Sequence, residues 1–235
     1  MVETVPGYVS IVFILTTFAS VAFLLQAAKY VGLQTLPSRI LVFVLPLWII
    51  FQAILGIGSF YQTTDTLPPR IFLFGVLPAI LLIATYFVFF RKSFIERAPI
   101  RVMTMLHVVR IPVEMVLYWL FVAGTVPEAM TFEGLNFDIL SGILAPLVAF
   151  LAFSGRRANK WLLIGYNLFG LALLLNIITI AILSAPFPLQ SMSFDQPNRA
   201  VLFFPYIWLP VIVVPIVFFS HLVVLWKVLV TETSE

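Results

Sequence analysis

The stretch MLHVVRIPVEMVLYW, residues 105–119, sets His107, Arg110 and Glu114 into an otherwise apolar run, with Pro112 between the two charges. On a helix of about 100° per residue, with His107 at 0°, Arg110 falls near 300°, Glu114 near 340° and Tyr118 near 20°. These polar groups therefore share one stripe, opposite a face of Val, Leu and Ile. At about 1.5 Å per residue, Glu114 lies roughly 18 Å from the basic end of the segment, near the middle of a hydrocarbon core of about 30 Å. A lone charge at such depth costs about 2.5–3.5 kcal/mol on insertion scales. Arg110 and Glu114, four residues apart, can pair along the helix. Pro112 offers no N–H to the carbonyl of Val108, which leaves an acceptor in the same region.

Ionisable residues at membrane depth mark ligand, proton or ion sites. In that chemistry Arg110 binds an anionic group or holds Glu114 charged, and Glu114 responds to a proton or cation. A polar residue from another helix would complete the site. Asn167 and Asn176 are half a turn apart and cannot share a cavity, and Asn176, on one face with Thr179, is the expected partner. The alternative is an internal ion pair that only fixes packing in a structural or signalling subunit.

His107 and His221 each lie six residues from a basic residue, Arg101 and Lys227, at similar expected depth on antiparallel segments. Two histidines so placed could serve as axial ligands of a haem or as ligands of a metal ion, giving a redox protein as an alternative. Independently hydrogen-bonded histidines are the simpler reading. The loop TVPEAMTFEGLNFD, 125–138, carries Glu128, Glu133, Asn136 and Asp138. Its spacing matches no calcium loop, so an acidic rim that attracts cations is expected.

Several chemistries fail on residue type. With no Cys, thiolate metal sites, iron–sulfur clusters and Cys nucleophiles are excluded. The only Lys in the last apolar segment is Lys227, at its end, which argues against a retinal Schiff base. There is no HExxH spacing, no credible serine nucleophile and no Gly-rich phosphate loop. An enzyme is therefore not the favoured reading.

The elements that would hold these residues follow from composition. The chain has 235 residues, 62% hydrophobic and only 10% charged, against about 25% charged in soluble domains. So much apolar surface cannot be hidden inside a water-soluble globule of this size. The lipid bilayer is the expected partner and the cell membrane the expected location. A net charge of +3 then reflects membrane edges rather than nucleic acid. The expected fold is all-α: one domain, 1–235, with seven transmembrane spans. They run over about 8–28, 40–60, 71–90, 102–124, 138–154, 161–184 and 201–226, from hydrophobic runs of roughly 20 residues. The start, MVETVPGYVS, lacks a basic n-region, so the first run is expected to be a retained span.

With the N-terminus outside, the cytoplasmic side receives Lys29, Arg39, Arg91, Lys92, Arg97, Arg101, Arg156, Arg157, Lys160 and Lys227, and the outside only Arg70 and Arg199. That bias orients the chain with its C-terminus inside. Most acids, including Glu3, Asp65 and Asp195, fall outside, whereas Glu96, Glu232 and Glu235 fall inside. Ser141, Ala145 and Ala149 form a small-residue stripe for close helix contact. Pro205, Pro210 and Pro215 predict a kinked last span, which packs against its neighbours or walls a cavity. The long loop 185–199 is expected to lie over the interface or to fold as a partial lid.

Overall fold

The computed structural model describes residues 4–155 and 158–230. Glu3, Arg156, Arg157, Glu232 and Glu235 from the charge tally lie outside the described residues. Among the described residues every regular element is helical. Six helices are long and apolar enough to cross a membrane: Gly7–Val31, Leu36–Ile57, Phe72–Phe89, Ile100–Val122, Lys160–Ser184 and Leu209–Val230. They are consistent with a membrane protein. The segment expected as a further span, 138–154, forms a helix of only 14 residues, Asp138–Leu151, about 21 Å long.

We number the helices α1 (Gly7–Val31), α2 (Leu36–Ile57), α3 (Leu77–Phe89), α4 (Ile100–Leu106), α5 (Arg110–Val122), α6 (Asp138–Leu151), α7 (Lys160–Ser184) and α8 (Val214–Val230). The span expected as one piece over 102–124 is α4 and α5 joined by a 3₁₀ turn at His107–Val109. Pro112 lies just beyond that turn; its ring crowds the carbonyl four residues back and has no N–H to offer it. The last span starts later than 201, because the prolines break its first part. A π-helical turn at Leu209–Val213 leads into α8, and residues 203–207 hold no regular helix.

Helices α1, α4, α5, α6, α7 and α8 pack around one another, and α2 and α3 flank them. In the most apolar stretch of Leu209–Val230, 56% of residues are buried, against 11% for Phe72–Phe89, so the last span is central and the third peripheral. The small stripe of α6 is its inner face: Ser141, Gly142, Ala145 and Ala149 are all buried. Without a side chain at Gly142 the α6 backbone closes on the 3₁₀ turn. A Cβ there would stand 3.1 Å from the Ile111 nitrogen and 3.3 Å from the His107 carbonyl oxygen.

Two of the prolines leave backbone acceptors that α2 covers. Pro78 cannot donate to the Phe74 carbonyl, and Gln52 Nε2 donates to it instead at 2.9 Å. Pro215 likewise frees the Val211 carbonyl, which accepts from Trp48 Nε1 at 3.1 Å. In apolar surroundings a bare carbonyl is expensive, so these side-chain caps let a proline-broken helix persist. Tyr61 holds Gln52 in place by donating to its Oε1 at 2.7 Å. Burial pushes the Tyr61 phenol up to about 12, against the opposing pull of the Gln52 bond. The loop 185–199 folds down onto its neighbours: Gln196 donates to the carbonyls of Phe121 and Val126, and the Arg199 backbone N–H to that of Thr125.

Candidate functional site

The polar centre lies where α5, α6, α7 and α8 meet. Arg110, 2% exposed, opens α5 directly after the 3₁₀ turn. A guanidinium has five N–H groups, and here each has an acceptor. Nε donates to Asp138 Oδ2 at 2.6 Å and Nη2 to Asp138 Oδ1. Nη1 donates to Ser141 Oγ at 2.8 Å and meets His221 Nε2 at 3.1 Å. The second Nη2 hydrogen reaches the Gly170 carbonyl at 3.1 Å. A bidentate, buried Arg–Asp pair is strong only when its remaining donors are also satisfied, and Ser141, Gly170 and His221 satisfy them.

This geometry sets the state of His221. A guanidinium only donates, so His221 Nε2 must accept. The ring is therefore neutral with its proton on Nδ1, which donates to Asn167 Oδ1 at 2.8 Å. Asn167 is oriented in turn by donating to the Leu163 carbonyl at 2.8 Å. Gly170 makes room for this ring: a Cβ would fall 2.5 Å from His221 Cε1 and 2.8 Å from Ser141 Oγ.

Glu114 does not pair with Arg110 as the helical spacing suggested. It accepts from Asn136 Nδ2 at 2.5 Å through Oε1, and its Oε2 has no hydrogen-bond partner although the residue is 1% exposed. Asn136 links the two acids, since its Oδ1 accepts from the Asp138 backbone N–H at 3.1 Å. Asp138, expected in the acidic rim, is buried and is the carboxylate that pairs with Arg110. The reason is that α6 starts at Asp138 and carries it into the bundle on the same face as Ser141. Glu128 and Glu133 stay exposed.

His107 is fully buried with neither ring nitrogen hydrogen-bonded. It stacks on His221 with ring centroids 3.8 Å apart and planes 17° from parallel, and meets the Tyr166 ring edge-on at 5.8 Å. Thr104, one turn earlier, is also buried with its Oγ1 unpartnered. Tyr118 is outside this centre, stacked on Phe132 at 5.1 Å. Asn176 is outside it too: it is exposed and donates to the Leu135 carbonyl at 2.8 Å. Asn167, on the opposite face of α7, occupies the position expected for Asn176.

A haem or a metal does not fit the two histidines. Axial ligands approach an iron from opposite faces of the macrocycle, whereas these rings touch face to face with no space between them. Both nitrogens of His221 are already engaged by Asn167 and Arg110. Among the described residues, no group of three or more His, Asp or Glu is placed to hold a metal ion.

Residues 68–229 match a family model described as a domain of unknown function, DUF8737. The chain belongs to the DUF8737 family. No curated protein and no solved structure matches it. The match takes in every residue of the polar centre of this DUF8737 protein, from His107 to His221, and excludes α1 and α2. Asn136, Asp138, Ser141 and Gly170 belong to that centre, although the sequence pointed Asn136 and Asp138 to the outer loop and Ser141 to helix packing and gave Gly170 no role. The available signal was the run NFDILSG, 136–142, in which two polar residues precede a helix whose small face begins with Ser141 and Gly142.

Proposed function

We propose that this DUF8737 protein spans the cell membrane seven times, with its N-terminus outside, and binds and releases a proton at Glu114 in support of small-ligand binding or transport. The observation that carries the reading is Glu114 Oε2, buried and without a partner. The Arg110 charge is already matched by Asp138, bidentately. An ionised Glu114 would therefore leave one uncompensated negative charge in hydrocarbon, and such groups instead take up a neutralising partner. One unpartnered oxygen suits a proton; a hard cation needs about six oxygen ligands. His107, seven residues and about 10 Å back along the span, also has unmet donor and acceptor capacity and is the next proton carrier towards the basic end. Carboxylate–histidine series of this kind form proton relays in membranes. The two parts of the centre then differ in role. Arg110 and Asp138 hold α5, α6, α7 and α8 together, and Glu114 exchanges the proton.

Thermal unfolding of nanodisc-embedded wild type and Glu114→Gln across a pH series and a sodium series tests this. An ion bound only by the folded state stabilises by about 1.4 kcal/mol per tenfold rise in its concentration above Kd. Wild type should respond to pH and not to sodium, and the pH response should shrink in Glu114→Gln. An identical pH response in both proteins would leave Glu114 as packing alone.

A further inference from the structure

Helices α2 and α3 are neighbours that scarcely touch along their length, yet they are pinned near both ends. Tyr86 Oη donates to the Pro37 carbonyl at 2.5 Å, and Gln52 Nε2 donates to the Phe74 carbonyl at 2.9 Å. Pro37 and Gln52 are separated by about 22 Å of helix. Between the pins lies an open-sided cavity of about 230 Å³, with Leu45 and Trp48 on one wall, Ala79 and Ile83 on the other, and Pro215 and Phe219 as its floor. The only polar atoms on its lining side chains are turned away: Trp48 Nε1 donates to the Val211 carbonyl and Tyr86 Oη to Pro37. The groove therefore presents hydrocarbon and aromatic ring faces only.

The end of the groove at Tyr86 is bordered by cations. Arg39, just before Leu41 on α2, and Arg91 and Lys92, directly after α3, are exposed. Glu96 is the acid facing them and pairs with Arg91 at 3.6 Å, and Gln34 accepts from Arg39. A net positive rim thus closes an apolar slot whose length exceeds one leaflet of hydrocarbon, about 15 Å. Basic residues at a membrane surface attract anionic headgroups by about 1 kcal/mol each.

From this geometry we propose a lipid-binding site: the α2–α3 groove holds the acyl chain of an anionic phospholipid, whose headgroup sits against Arg39 and Lys92. The proposal rests on the helices spanning a bilayer and is independent of proton exchange at Glu114. Trp48 lines the groove and reports on it. In nanodiscs of phosphatidylcholine, phospholipids with brominated acyl chains quench tryptophan on contact, and subtracting the signal of Trp48→Phe isolates Trp48. Brominated phosphatidylglycerol should saturate the Trp48 quenching at a mole fraction at least about fivefold below that needed for brominated phosphatidylcholine, the preference supplied by one to two surface cations. Arg39→Gln with Lys92→Gln should bring the two lipids together, and Ala79→Leu, which fills the slot, should weaken quenching by both. If Ala79→Leu does not fold, the two-lipid comparison on wild type decides. Quenching that rises in proportion to mole fraction equally for both lipids would mean contact with bulk bilayer and would overturn the site. Selectivity that survives in the double variant would overturn the headgroup assignment.

Discussion

Replacing Asp138 by Asn removes the carboxylate from Arg110 while keeping the shape of the side chain. Arg110 is 2% exposed, so its charge is left in a dry bundle without a counter-charge, with one amide oxygen at position 138 and Ser141, Gly170 and His221 as its neutral acceptors. Breaking a buried ion pair from one side costs about 3–5 kcal/mol. For a chain of this size a loss of 1 kcal/mol lowers Tm by about 2–4 °C on the soluble-protein scale. Asp138→Asn should therefore melt roughly 6–20 °C below wild type. Glu114→Gln provides the contrast. Its amide oxygen can still accept from Asn136, so the loss should not exceed about 1 kcal/mol, the worth of one ordinary hydrogen bond. Both variants are to be melted in the same nanodiscs at neutral pH, with the monodisperse fraction followed against temperature. A Glu114→Gln loss equal to or larger than that of Asp138→Asn would mean that Glu114 is the partner of Arg110, and the assignment of the two acids would be wrong.

Gly170→Ala puts a methyl group 2.5 Å from His221 Cε1. The ring or the α7 backbone must shift, with an overpacking loss of about 1–3 kcal/mol; an unchanged Tm would show that the ring is not packed there. Gln52→Leu should cost about 1–3 kcal/mol, because it strips the partners from the Phe74 carbonyl and the Tyr61 hydroxyl together, and the same melts read it. Tyr61 ionises near 12 in the fold, above its ordinary value of 10.0. The fold thus favours the neutral phenol, with no effect below pH 10 and a loss of stability as pH rises from 10 to 12. Tyr61→Phe should flatten that part of the profile, and an equally steep loss in the variant would reject the assignment. The chain has no Cys, so single cysteines report topology cleanly. Glu128→Cys should react with an impermeant maleimide from outside intact cells and Arg97→Cys should not; the reverse pattern would invert the orientation.

The helical content was legible because runs of about 20 apolar residues have few other solutions. The projection of the fourth span needs only its own residues; His107, Arg110 and Glu114 from its polar stripe are buried, whereas Tyr118 turns to Phe132. What escaped was pairing between helices. Spacing alone favoured Glu114 as the partner of Arg110, yet Asp138 reaches the guanidinium from α6, 28 positions away in sequence. The same gap explains Asn167 and Asn176: their opposite faces followed from periodicity, but which face met α8 depended on His221. The 3₁₀ turn at His107–Val109 was not expected, since the stretch read as one continuous span despite Pro112. The covering of proline-freed carbonyls by Gln52 and Trp48 was not expected either, since those donors stand on a different helix.

The most direct measurement of the central claim is the infrared spectrum of the reconstituted protein in the region of the protonated carboxyl C=O stretch, at neutral pH, for wild type and Glu114→Gln. A proton held at Glu114 gives a buried carboxylic-acid band in wild type that is missing from Glu114→Gln and retained in Glu133→Gln. A wild-type spectrum without that band, or one in which Glu114→Gln leaves it unchanged, would contradict proton binding at Glu114.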